Sequence, residues 1–308
     1  MTIYSLTYNS TTWINLVNPS SQDVAAILRL YPFIHPLNVE DITSNIERAK
    51  IDVDDEYLFG VFHFPRWDAK MRLTRPYEVD LFLGRGFIVT STATEGVSKP
   101  LAALYGGAEE EEARRTAILG KGAAHAFYVI VDTLVDYIFP ILRKVDQNIH
   151  SLEERIFSDE GRVIIRDIAM VRRDIIALRR IIRQLVPVVE SLDRNTRQVF
   201  RDDLEDYFDD IADHMHRARD IIDEDYEVIE GLADTADKLL SHRINNAMRV
   251  LTVISVIMLP LTLISSIYGM NLAALPLSDH PQSFWIISAL MLLVAFTMLI
   301  YFRFRQWL

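Results

Sequence analysis

Apolar residues are concentrated at the C-terminal end of the chain. From Val250 to Ile267 no charged residue occurs, and Thr252, Ser255, Thr262, Ser265 and Ser266 alone supply side-chain polarity. About 18 residues at ~1.5 Å each reach ~27 Å, close to the hydrocarbon thickness of a bilayer. A second apolar run, Phe284 to Phe302, follows after the link 272–283. Lipid offers the backbone no hydrogen-bond partner, so the two runs are expected as a helical membrane hairpin, in preference to a hairpin buried in a soluble core. Everything upstream is too polar for lipid, which predicts a large soluble domain with a C-terminal anchor.

Upstream, the pattern changes period several times. Trp13 to Leu16 reads as a short strand, and Asn18-Pro19-Ser20-Ser21 as the cap of a helix through Leu30. A second short helix starts at His35. Three runs rich in aromatic and β-branched residues, Tyr57–Phe64, Tyr77–Leu83 and Phe87–Ser91, read as strands. His35, Asp41 and Arg48 are better explained as a helix start with surface ion pairs than as a site. The acidic run Glu109 to Glu112 reads as a solvated loop or helix start. Helical periodicity takes over from Ala123, with one long helix opening around Val131 and reaching about Phe157, and another from Ile164 to Pro187. Their junction near Ser158–Gly161 suggests an antiparallel pair. The second carries Arg166, Arg172, Arg173, Arg179, Arg180 and Arg183. That face fits pairing with neighbouring acids, including acidic helices of the same chain, better than anionic lipid.

The stretch Asp202 to His214 is strongly acidic, and from about Asp203 one helix is expected to run unbroken to Tyr268, ~100 Å by helix geometry. Such a length suits a stalk leading into the membrane. Ile211, Met215, Ala218, Ile222, Tyr226, Ile229, Ala233, Ala236 and Leu240 give it one apolar stripe for neighbouring helices.

Composition narrows the function. The net charge of -11 disfavours nucleic-acid binding and suits a protein that meets cations. The absence of cysteine excludes a disulfide scaffold and thiolate metal ligation. No HExxH, P-loop or nucleophile elbow appears, and His214-Met215-His216 places its two histidines on different helix faces, so an enzyme is not expected. The N-terminus lacks a signal-peptide pattern. Lys238, Arg243 and Arg249 precede the first span, Arg303 and Arg305 follow the second, and Leu272–Ser283 has no Lys or Arg. By the positive-inside rule both termini are expected in the cytoplasm, with the link outside, as in a multi-pass inner-membrane protein.

The first span ends in Tyr268-Gly269-Met270-Asn271. This YGMN sequence resembles the GMN signature of the CorA family of divalent-cation channels and transporters. Asn245–Thr252, Met258-Leu259-Pro260-Leu261-Thr262 and the terminal Gln306-Trp307-Leu308 resemble the family at the expected places, and Leu37–Ile42 more loosely. The resemblance implies an α+β cytoplasmic domain, a long stalk helix and a two-helix membrane hairpin, assembled as a homopentameric funnel. The expected organisation is 1–105 an α/β layer, 106–200 a helical hairpin, 201–249 the stalk and 250–271 the pore helix. The external link 272–283, the second span 284–303 and a basic tail 304–308 complete it.

A path for a hydrated dication needs oxygen dipoles where the ion exchanges water, since Mg²⁺ dehydrates reluctantly. Asn271 supplies an amide oxygen, and Gly269 leaves its carbonyl uncovered while ending the helix, with Asn or Gly in a left-handed turn. Steps of three or four back from Asn271 meet Ser266, Thr262, Leu259, Ser255, Leu251 or Thr252, Met248 and Asn245. That line suits a dewetting gate, and equally suits close helix packing. The resemblance assigns Gly269, Met270, Asn271, Asn245, Met248, Leu251 and Thr262 to the ion path, with Leu259 in place of a Met common in the family. It assigns Asp210 to a regulatory divalent-ion site between subunits. The substrate expected is Mg²⁺, with Co²⁺ and Ni²⁺ as fellow substrates and no separate cofactor. The link carries only Asp279 and His280 where magnesium-selective members often have Met-Pro-Glu, which keeps a zinc-transporting ZntB-like protein, and a non-conducting membrane sensor, as alternatives.

Overall fold

The computed structural model describes residues 3–43, 48–93, 98–157, 161–200, 205–270, 276, 281–305 and 307. The chain forms two compact units, Met1–Ala233 and Asp234–Leu308. The first begins with β1 (Ile3–Tyr8), β2 (Thr11–Val17), α1 (Ser21–Leu30), α2 (Pro36–Thr43) and β3 (Lys50–Val53). Next come β4 (Tyr57–Asp68), β5 (Leu73–Gly84) and β6 (Phe87–Thr92), which together with the earlier strands make one sheet in the order β1-β2-β6-β5-β4-β3. Among the described strands only β2 and β6 pair in parallel.

Strand β4 is buried without alternation from Tyr57 to Pro65, as a strand covered on both faces must be. One face packs Ile14, Leu16, Tyr57, Phe59, Phe82 and Val89 against Val24 and Ile27 of α1 and Val39 and Ile42 of α2. On the other, Trp13 stacks edge-on against Tyr105 at 4.9 Å, and its indole donates to Thr90, which donates to Asn15. The cap read at Ser20 is a full capping box with Asp23. His35 and Asp41 behave as helix-start and ion-pair residues. The His35 backbone N–H donates to the Tyr57 hydroxyl, and Asp41 pairs with Lys50 at 2.8 Å.

Five helices follow: α3 (Lys99–Glu110), α4 (Glu112–Leu119), α5 (Ala123–Asp136), α6 (Ile138–Arg155) and α7 (Gly161–Glu190). The acidic run is therefore no loop. It ends α3 and starts α4, with the Arg115 guanidinium donating to the Ala108 and Glu109 carbonyls at the C-terminus of α3. The helix expected through Val131–Phe157 is interrupted at Tyr137. Pro140 lacks the N–H that would bond the Asp136 carbonyl, and its ring collides with that turn. Pro187, in contrast, lies inside α7. Arg155 at the end of α6 pairs with Asp167 of α7 at 3.1 Å, across a junction (158–160) that lies outside the described residues. Thr74 N–H on β5 donates to the buried Asp174 carboxylate, tying the β4–β5 hairpin to α7.

After α8 (Leu192–Val199), helix α9 runs over Glu205–Tyr268 as 64 residues, and α10 covers Ser283–Phe304. The α9 stripe is buried at Ile211, Met215, Ala218, Ile222, Ile229 and Ala236, whereas Leu240 is exposed. The arginines of α7 find acids on α9. Arg172 forks onto Glu230 at 2.6 and 3.0 Å, and Arg179 and Arg183 share Asp223. Arg179 also lies 4.2 Å over the Tyr226 ring.

Candidate ion path and regulatory carboxylates

In the second unit, α9 carries the line of residues read from the sequence. At ~100° per residue, Asn245, Met248, Leu251, Leu259, Thr262, Gly269 and Met270 fall within about 120° of one another. All are exposed, Met248 at 56%, Leu251 at 59% and Leu259 at 68%. The opposite face holds the more covered positions, Val253 at 2% exposure and Ile257, Pro260, Ile264 and Tyr268 at intermediate values. The hydroxyls along the exposed side bond to their own helix: Thr252 donates to the Met248 carbonyl, Ser255 to Leu251 and Thr262 to Met258. Their oxygen lone pairs remain free to accept from water.

Gly269 N–H donates to the Ser265 carbonyl at 2.9 Å, and Met270 N–H to Ile267 at 3.3 Å, so the helix closes on a tightening turn. Of the two residues expected in a left-handed turn, Gly269 does not adopt one, since among the described residues Gly86 and Gly122 are the glycines with positive φ, and Asn271 lies outside the described residues. The glycine serves a close approach instead, because a Cβ at 269 would stand 3.1 Å from the Ser265 carbonyl oxygen. Asn271, the amide of the signature, and His280 of the link lie outside the described residues.

Asp210 sits in the first unit, on α9. One turn on, His214 Nε2 is 4.0 Å from the Asp210 carboxylate. His214 Nδ1 faces α5, 3.6 Å from Asp136 and 4.0 Å from Asp132. The ligand atoms of Asp132, Asp136 and His214 lie within 4.8 Å of one another, the spacing a bound metal ion needs. Burial, together with Asp136 and Asp210, pushes the Asp132 carboxyl up, with His214 opposing. Nδ1 of His214 is buried without a hydrogen-bond partner among the described residues, and the Phe139 ring packs edge-on against the imidazole. His216 points elsewhere, to Glu190 at 3.1 Å, as its different helix face requires. Asp132 and Asp136 were not singled out from the sequence, and His214 was considered only beside His216 and set aside. The two i,i+4 pairs, Asp132/Asp136 and Asp210/His214, were the available signal.

Two carboxylates and an imidazole, with the Asp210 carboxylate beside them, suit a hard dication, and the imidazole also admits a softer one. Among the described residues three helical stretches are long and apolar enough to cross a membrane, α5 with α6 (Ala123–Arg155), Glu205–Tyr268 and Ser283–Phe304. The most apolar window of the first is almost half buried in the fold, whereas those of the other two are almost wholly exposed and so fit lipid. These features are those of a membrane-anchored protein with a candidate metal-cation site. The chain belongs to the CorA-like Mg²⁺ transporter family, whose model matches residues 8–304, and which comprises ion transporters and not enzymes.

It is 31% identical over 297 residues to YfjQ of Bacillus subtilis (96% of this chain, 89% of that one). It is 29% identical over 298 residues to the cobalt/magnesium transport protein CorA of Thermotoga maritima (96% and 83%). Among solved structures, the complete CorA magnesium transporter from Methanocaldococcus jannaschii superposes with a TM-score of 0.83 at 18% identity, covering 98% of this chain and 94% of that one. The ZntB cytoplasmic domain from Vibrio parahaemolyticus gives 0.54 at 10% identity, covering 76% and 90%.

Proposed function

We propose that this divalent-cation transporter carries Mg²⁺, with Co²⁺ and Ni²⁺ as fellow substrates, into the cytoplasm through a pore formed by several copies of α9. The observation that carries the reading is the exposed line from Asn245 to Met270, set against the covered opposite face. One α9 cannot enclose a pore, so copies must ring the axis with this line inward; the family resemblance supplies the number five. Amide and carbonyl oxygens at the Gly269–Asn271 end would bind the waters of a hydrated ion, and Met248, Leu251 and Leu259 would form the apolar constriction. Closing is assigned to a divalent ion at Asp210, with Asp132, Asp136 and His214 as its neighbours. Bound ion would offset their repulsion and favour the closed arrangement by its higher affinity for it.

A ZntB-like zinc transporter is the second reading, supported by the imidazole at the carboxylate cluster and by His280 in the link. Purified protein in liposomes decides between them. Mg²⁺ uptake that Co²⁺ and Ni²⁺ compete for is expected. Zn²⁺ uptake without Mg²⁺ uptake would transfer the protein to the zinc reading, and no uptake of either ion would leave a non-conducting sensor.

A further inference from the structure

About four turns beyond Asp210, α9 and α6 enclose a groove of about 460 Å³ within the first unit. From α6 it is lined by Arg143, Asp146, His150 and Glu153, and from α9 by Arg217, Glu224 and Asp225. Several of these groups are engaged already. His150 lies 3.5 Å from Glu153 and 3.8 Å from Glu154, and Arg217 lies 5.9 Å from the centre of the Phe139 ring. Asp225 is different. It is only 6% exposed, and its Oδ2 is buried with no hydrogen-bond partner among the described residues.

A buried carboxylate without donors is costly unless it is protonated or meets a cation. Burial, then Asp146, then Glu224 push the Asp225 carboxyl up to about 6. The carboxylate lines the groove beside Asp146 and Glu224.

We propose that Asp225 and Asp146 hold a hydrated divalent cation of the Mg²⁺ class between α6 and α9. Mg²⁺ typically uses one or two carboxylates and keeps several waters. Six waters occupy about 180 Å³, which the groove accommodates. The ion would bridge two helices whose facing acids otherwise repel. Protons compete for the same oxygens, so affinity falls as pH drops through the range in which Asp225 is protonated. The site does not rest on the reading of Asp210 and is measured without transport.

The test counts Mn²⁺ bound per chain by electron paramagnetic resonance on full-length protein in detergent, at pH 7.5 and 5.5. Asp225→Asn is expected to remove one Mn²⁺ per chain, and Asp146→Asn, at an exposed position, to weaken that ion at least tenfold. Wild type should lose it at pH 5.5, and added Mg²⁺ should displace it. If both variants bind the wild-type number with wild-type affinity, the groove contains only a buried acid and the proposal is overturned. Should Asp225→Asn fail to fold, Asp146→Asn decides alone. Asp210→Asn run in parallel separates the two sites: it should keep the ion that Asp225→Asn loses.

Discussion

Two single residues carry the proposed chemistry, and each answers to its own measurement. Asn271 is the next residue in sequence after Met270, and the proposed function uses its amide at the end of the ion path. Asn271→Ala removes an oxygen dipole outside the apolar span and should leave insertion and assembly intact. Divalent uptake should fall to background at normal membrane expression; uptake at the wild-type rate would strike Asn271 from the path. Asp210 is judged by gating. It lies 4.0 Å from His214, which in turn faces Asp132 and Asp136. Asp210→Asn removes a charged ligand of the proposed ion, which then binds less tightly, so more internal Mg²⁺ should be needed to close the pore, by several-fold. Current recorded while internal Mg²⁺ is raised through the millimolar range measures this. Closure of the variant over the wild-type range would reduce Asp210 to one acid of a solvated face.

Between elements, the arginines of α7 act as struts to α9. Asp223 accepts from both Arg179 and Arg183. Burial alone would push its carboxyl up, but the two guanidinium hydrogen bonds bring it below the ordinary carboxylate value. Asp223→Ala should cost about 1–2 kcal/mol, since the pair is only partly buried and its loss leaves two arginines unpaired. Thermal unfolding should show a fall of a few degrees at neutral pH. A depressed carboxyl stabilises fully above its unfolded pKa and ceases to do so as pH falls through its folded value. The gap between variant and wild type should therefore narrow on acidification, and a gap constant down to pH 3 would refute the ion-pair account.

These elements differ in how openly the sequence declared them. The capping box at Ser20 and the strands β4 to β6 are local patterns, and they were legible as such. The strands that escaped, Ile3–Tyr8 and Lys50–Val53, are the two edges of the sheet, where half-exposed side chains blur the period. Helix α3 was hidden by Gly106-Gly107, which tertiary packing tolerates and propensity does not. For the carboxylate cluster, both i,i+4 pairs stood in the sequence, but only the packing of α5 near α9 shows that one pair faces the other.

At the scale of the whole molecule, function requires a fixed orientation in the membrane. The evidence for it is charge. Arg243 and Arg249 stand before the first apolar run, Arg303 and Arg305 after the second, and the intervening link carries neither Lys nor Arg. Each basic flank resists transfer across the bilayer, so the positive-inside rule predicts that both flanks stay on the side of synthesis and the link crosses. The GMN end of α9 would then meet cations arriving from outside, while Asp210 and its neighbours sample the cytoplasm. In the proposed function, that separation would let one ion serve as substrate in the pore and as signal at Asp210. The chain contains no cysteine, so a single introduced thiol reports without background. Ser278→Cys in the link should react with a membrane-impermeant thiol reagent on intact cells. Ser241→Cys, on α9 before the first apolar run, should react only after permeabilisation. The reverse pattern would invert the orientation and place the carboxylate cluster outside, where it could not sense the cytoplasmic ion. Labelling of both positions on intact cells would mean that the apolar runs do not form a two-span hairpin at all.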